Sequence, residues 1–140
     1  MKVQITHAGG MKLIAKSSSD HEVVIDASEQ VGGSDSGMRP MELMLISLGG
    51  CAGMDVISIL QKKRVPFTRV DMQLEAERAE DHPKVFKKIK VTFLVYGDKE
   101  NIKANDVERA IELSSTKYCS ASNMLNKTAE IEYGYEIIAT

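Results

Sequence analysis

The 140-residue chain holds only two cysteines, Cys51 and Cys119, and three histidines. So few cysteines, set far apart, exclude a disulfide-stapled secreted scaffold. In a reducing compartment such a pair reads as catalytic or inert thiols rather than a permanent bridge. His7, His21 and His82 are scattered, and no Cys/His spacing matches a metal site, so neither metal nor organic cofactor is expected. No basic block exceeds Lys62-Lys63-Arg64 in a chain of net charge −2, which argues against a nucleic-acid tract. The longest uncharged apolar run, Leu43 to Met54, falls short of the roughly 20 residues of a membrane span. The opening MKVQITHAGG has no apolar core of the kind a secretory signal needs. A Gly-rich phosphate loop and a serine–histidine arrangement are also missing. The expectation is a cytoplasmic protein without membrane or nucleic-acid partners.

What is there is ordinary globular composition, 43% apolar and 27% charged, which predicts a single domain over residues 1–140 with a real core. Val3 and Ile5, Leu13 and Ala15, and Val23 to Ile25 alternate with polar neighbours. Turn signals at Gly9-Gly10 and Ser17 to Asp20 separate them into a three-stranded meander. Ser28 to Gly37, SEQVGGSDSG, follows without periodicity and reads as a connector or as a cover over a site. Arg39-Pro40-Met41-Glu42 opens a helix, with proline in the first turn and an anion where the dipole favours it. That helix should end before Pro66. Val70 to Glu77 and Lys88 to Val95 alternate as a hairpin, carboxylates on one outer face opposite lysines on the other, around a turn at Glu80 to Lys84. Asn105 and Glu108 have capping-box spacing at the start of a second helix, which runs by its apolar period to Leu125. Ile131, Tyr133, Tyr135 and Ile137 alternate with glutamates in a last strand. The order βββ-α-ββ-α-β predicts an α+β fold of largely antiparallel sheets with a central buried helix.

Within the first helix stands LGGCAGMD, residues Leu48 to Asp55. Glycine costs a helix about 1 kcal/mol relative to alanine, so three glycines around a cysteine require a reason. The preceding run, Leu43 to Leu48, is apolar around nearly the whole circumference, and a sheet covers only one side of a helix. A second copy of the chain is the economical cover. The expectation is a homodimer, with Gly49, Gly50 and Gly53 admitting close backbone contact and leaving the Cys51 thiol accessible. Arg39, the only arginine before Arg64, and Glu42 are candidates for orienting a thiolate, or form a structural cap. Asp55, one turn after Cys51, reads as a helix-surface charge, with a dimer contact as the alternative. Cys51 and Cys119 on separate helices near a buried seam fit an attacking and a resolving thiol. They equally fit two inert core cysteines.

The runs RPMELMLISLGGCAGMDVISILQKKR, HPKVFKKIKVTFLVYG and AIELSSTKYCSASNMLNKTAEI occur in matching order over nearly the whole chain. Together they resemble the OsmC/Ohr superfamily, most closely its small OsmC-like (YhfA-type) redox-protein branch. The resemblance implies an intertwined α+β homodimer with cysteine-bearing helices at its centre and two sites at the subunit interface. It also implies a thiol-dependent peroxidase acting on organic hydroperoxides in oxidative-stress protection. Cys51 would be the peroxidatic thiol and Cys119 the resolving thiol, and a dithiol reductant such as a lipoylated protein would recycle the pair. The family's orienting arginine and glutamate have no positional match, because the first arginine is Arg39 and Met41 follows Pro40. Arg39 and Glu42 are assigned those roles by proximity. The alternative reading is a non-enzymatic dimer of the same fold that senses redox state or binds a small apolar ligand.

Overall fold

A computed structural model describes residues 1–140 and divides the chain into two compact units, Met1–Ile46 and Ser47–Thr140. In the first unit, β1 (Val3–His7), β2 (Leu13–Ser17) and β3 (Glu22–Ile25) form the expected antiparallel meander. Gly9 and Gly10 take positive φ, 96° and 56°, at the first turn, a conformation that favours glycine. The polar stretch after β3 is a tied structure. The buried Asp26 carboxylate accepts the backbone N–H of Ala27, Ser34 and Ser36 and the hydroxyl of Ser36 at 2.7 Å. A short 3₁₀ turn, Glu29–Val31, lies between these contacts.

Helix α1 runs Pro40–Lys62, as the proline start and the approaching Pro66 predict. Its buried stripe Leu48, Ala52, Val56 and Leu60 repeats every four residues, the spacing of one helix face. Burying such an aliphatic side chain is worth about 1.5–3 kcal/mol relative to exposure. By length and a mean hydropathy of 1.9, α1 has the composition of a membrane span. Its stripe and two of its glycines face protein instead. A Cβ on Gly49 would lie 2.6 Å from Leu74 Cδ1, and one on Gly53 would strike the end of Met72. Leu74 and Met72 belong to β4 (Phe67–Arg78), so these glycines let the helix lie close on a sheet. The expectation that all three serve contact with a second chain is therefore corrected for Gly49 and Gly53. Only Gly50 has open space on its Cβ side.

The sheet of the second unit is β4-β5-β6, with β5 (Phe86–Gly97) central and β6 (Glu130–Ala139) beside it. The hairpin register pairs Glu75 with Lys90 and Glu77 with Lys88. Its turn contains His82-Pro83, a cis peptide. On β6, Glu130 stands opposite Lys88 and Glu132 opposite Lys90, so each lysine is flanked by glutamates on both neighbouring strands. On the other face Ile89, Val91, Phe93 and Val95 are fully buried. Strand β6 runs parallel to β5, while the other three pairings are antiparallel. The physical reason is the connection, since a helical crossover returns the chain to the same end of the sheet.

That crossover differs from the single helix its periodicity predicts. Helix α2 covers Ala104–Leu113, a π-helical turn covers Ser114–Tyr118, and α3 covers Ser120–Leu125. Lys103, not Asn105, is the N-cap of α2, and no side chain caps it. Glu108 instead accepts the Tyr135 hydroxyl of β6 at 2.6 Å. The capping box does not form because the helix begins two residues earlier than expected, which places Asn105 inside it.

Candidate active site

The break in the crossover positions Cys119. The π-helical turn brings its N–H to the Ser114 carbonyl at 2.8 Å, and its backbone then becomes extended (φ −73°, ψ 105°). Cys119 thus becomes the N-cap of α3, its Sγ accepting the Ser122 N–H at 3.3 Å. Asn123 Nδ2 donates to the Cys119 carbonyl at 2.8 Å and closes the turn. The thiol is fully buried. Ser122 Oγ is in turn hydrogen-bonded to the Tyr133 hydroxyl of β6.

Cys51 reaches the same place from α1 and is half-buried. Asp55 projects from the same face one turn later, because residues four apart on a helix stack along it. Cys51 Sγ, a carboxylate oxygen of Asp55 and Cys119 Sγ all lie within 4.8 Å of one another. Ser114 Oγ donates to Asp55 Oδ2 at 3.0 Å and orients the carboxylate. Asp55 also borders a cleft of about 290 Å³ shared with Ser58, Ile59, Lys62, Leu113 and Tyr118. Asp55, expected as a helix-surface charge, thus lies against the two sulfurs. Its spacing from Cys51 was the available signal, but Cys119 and Ser114 come from a distant part of the chain.

Burial pushes the Cys119 thiol up to about 11. The Ser122 N–H works against that rise, while contact with Cys51 and the charge of Asp55 add to it. Burial likewise raises the Tyr133 hydroxyl, partly offset by its bond to Ser122. At neutral pH Cys119 is therefore a thiol.

The other two predicted site residues are engaged at the entry of α1. The Arg39 guanidinium donates to Asp35 Oδ1 at 2.6 Å and to the Gly37 carbonyl at 2.9 Å. Glu42 Oε1 accepts the Arg39 N–H at 2.8 Å, the geometry of a helix cap. The structure brings Cys51, Cys119 and Asp55 together, and separately joins Arg39 to Glu42.

An OsmC-like protein family model matches residues 33–134. Protein YhfA of Escherichia coli (strain K12) is 35% identical over 139 residues, spanning 99% of each chain. Among solved structures, a hypothetical protein from Aquifex aeolicus VF5 is 29% identical with a TM-score of 0.86, covering 99% of this chain and 96% of that one. The organic hydroperoxide resistance protein OsmC of Legionella pneumophila is 14% identical and superposes with a TM-score of 0.71 over 97% of both chains. At that identity the likeness concerns the fold.

Proposed function

The chain belongs to the OsmC-like protein family, and from that premise we propose that it is a homodimeric thiol peroxidase reducing organic hydroperoxides. The observation that carries this reading is the proximity of two free thiols, Cys51 partly accessible and Cys119 buried behind it. A fold relative named for organic hydroperoxide resistance supports the substrate class.

The chemistry follows from the unequal surroundings of the two sulfurs. The Cys51 thiolate attacks the outer peroxide oxygen, the O–O bond breaks, and the alcohol leaves with a proton, giving a sulfenic acid. Cys119 gives up its proton, and its thiolate then attacks that sulfur. Its proton joins the departing hydroxyl as water, and a Cys51–Cys119 disulfide forms. An external dithiol such as a lipoylated protein reopens it. Burial holds Cys119 protonated and makes it a poor first attacker, so in the second step it has to lose its proton before its sulfur can attack. Asp55 stands where a proton leaving Cys119 can be received. Arg39 and Glu42 are proposed as the orienting pair of the first step only by their nearness in the chain, since within one chain their observed contacts are those of the α1 cap. A second copy would cover Met54 and Met124, which are 75% and 76% exposed in the single chain, and the open side of Gly50. The cycle requires a reducing, cytoplasmic setting.

The Asp55 charge, which adds to the rise of Cys119, favours a second reading in which slow oxidation serves redox sensing; the same non-enzymatic dimer would otherwise bind a small apolar ligand. Titration of the reduced protein with cumene hydroperoxide and with hydrogen peroxide separates the two. Rapid loss of both thiols per chain, faster with the organic peroxide and mapped to an intramolecular Cys51–Cys119 bond, supports the peroxidase. Slow, unselective oxidation, or turnover that survives Cys51→Ser, rejects it.

A further inference from the structure

Two thiols and a carboxylate converging within 4.8 Å form a donor set as well as a redox pair. We propose that the reduced chain binds one thiophilic divalent cation of the zinc class through Cys51 Sγ, Cys119 Sγ and Asp55. Zinc takes thiolate at about 2.3 Å and carboxylate at about 2.0 Å, so ligand atoms around it stand roughly 3.3–3.8 Å apart. The observed separations, all within 4.8 Å, exceed that span by at most roughly 1–1.5 Å. Cys51 and Asp55 are spaced i, i+4 on α1, which directs two ligands to one point without loop rearrangement. Cys119 supplies the third from the N-cap of α3.

The surroundings fit a coordination site. Ser114 Oγ holds Asp55, and the Ser122 N–H points at Cys119 Sγ, the outer hydrogen bonds that orient metal ligands. Of the three ligands, Asp55 also borders the cleft lined by Ser58 and Lys62. Three protein ligands leave a fourth position for water or an exogenous thiol. Binding converts both thiols to thiolates and releases two protons without any change of oxidation state. Two thiolates and a carboxylate on a dication leave one net negative charge.

Cation and disulfide exclude each other, because the same sulfurs cannot do both. A hydroperoxide takes two electrons from the bound thiolates, the S–S bond forms as the O–O bond breaks, two protons complete the alcohol and water, and the cation is released. This consequence rests on the proposed peroxidase cycle. The cation site itself does not.

The test uses the fully reduced, metal-free protein. Cadmium is added while thiolate-to-metal absorption is followed, and zinc binding is measured in parallel by equilibrium dialysis. The expected result is a band saturating at one equivalent per chain and one zinc retained. Cys51→Ser and Cys119→Ser should each weaken binding at least about 100-fold. Ser114→Ala should keep the band and weaken binding about 10–100-fold, and Asp55→Asn, which alters a ligand, should keep the band and weaken binding at least as much. Wild-type protein oxidised with diamide carries no substitution and should retain no zinc, so a misfolded variant does not void the result. A band without saturation at one equivalent, undiminished affinity in Asp55→Asn, or equal zinc binding by oxidised protein would overturn the site. Slow reaction with hydroperoxide alongside stoichiometric binding would reject the peroxidase and leave the site standing.

Discussion

Asp26 and Asp55 are both sheltered carboxylates, and they are used in opposite ways. Asp26 accepts four hydrogen bonds, about as many as a carboxylate has lone-pair sites. The Ser36 hydroxyl, with the backbone N–H groups of Ala27, Ser36 and Ser34, lowers it to about 2 against the opposing effect of burial. Asp55 accepts one hydrogen bond, from Ser114, and turns its remaining acceptor capacity toward two thiols. A saturated carboxylate ties a loop together. An unsaturated one beside nucleophiles is available to a proton or a cation.

The largest effect expected from breaking this contrast is on Asp26. Replacing it with Asn places an NH₂ group among donors, and melting temperature should fall by more than for any other change below. The wild-type dependence on acid has a definite sign. A carboxyl lowered from 3.8 to about 2 contributes stability above its ordinary value and loses it as pH falls through about 2. Acid unfolding of Asp26→Asn should lack that component. Identical acid profiles would remove Asp26 as the knot of the loop.

Next come the glycines that set how closely α1 lies on β4. Gly49→Ala should destabilise the fold by about 1–3 kcal/mol through overpacking against Leu74, less up to about 1 kcal/mol regained in helix propensity. Gly50→Ala, with nothing within 4 Å, should raise the stability of the single chain by up to about 1 kcal/mol. Chemical denaturation compares them, and sedimentation of the Gly50 variant reports whether a second chain uses that side. A stabilised Gly49 variant would contradict the close approach.

A smaller effect is expected at the thiols. Desolvation dominates the raised Cys119, and the Asp55 charge adds less, so Asp55→Asn should lower it modestly. Alkylation of Cys119, mapped by mass spectrometry at pH 8, should then speed up by less than about tenfold, the factor of a full pKa unit. An unchanged pH profile would mean that Asp55 does not act on Cys119. Tyr133→Phe removes the hydroxyl bonded to Ser122 and should cost only about 0.5–1.5 kcal/mol in a thermal or denaturant melt.

Much of the architecture was legible along the chain because its causes are local. Period-two alternation marked the strands, Pro40 and Pro66 bracketed the long helix, and facing charges anticipated the pairing of Glu75 with Lys90. Cys51 was conspicuous among its glycines. The errors fall where two remote segments meet. Gly49 and Gly53 were assigned to a helix–helix contact, yet their neighbours are Leu74 and Met72 of β4. An apolar period carried one helix through Cys119, whereas the chain breaks there and turns the cysteine into a cap.

The amino-acid sequence by itself determined the order of the strands, the buried face of β5 and the thiol that stands out, since each depends on residues within a few turns or strand steps of one another. Only the tertiary structure decided that β6 runs parallel to β5, that Cys119 meets Cys51, and that Asp55 and Ser114 belong with them. Those facts depend on where the crossover turns back onto the sheet, and packing sets that position, not periodicity.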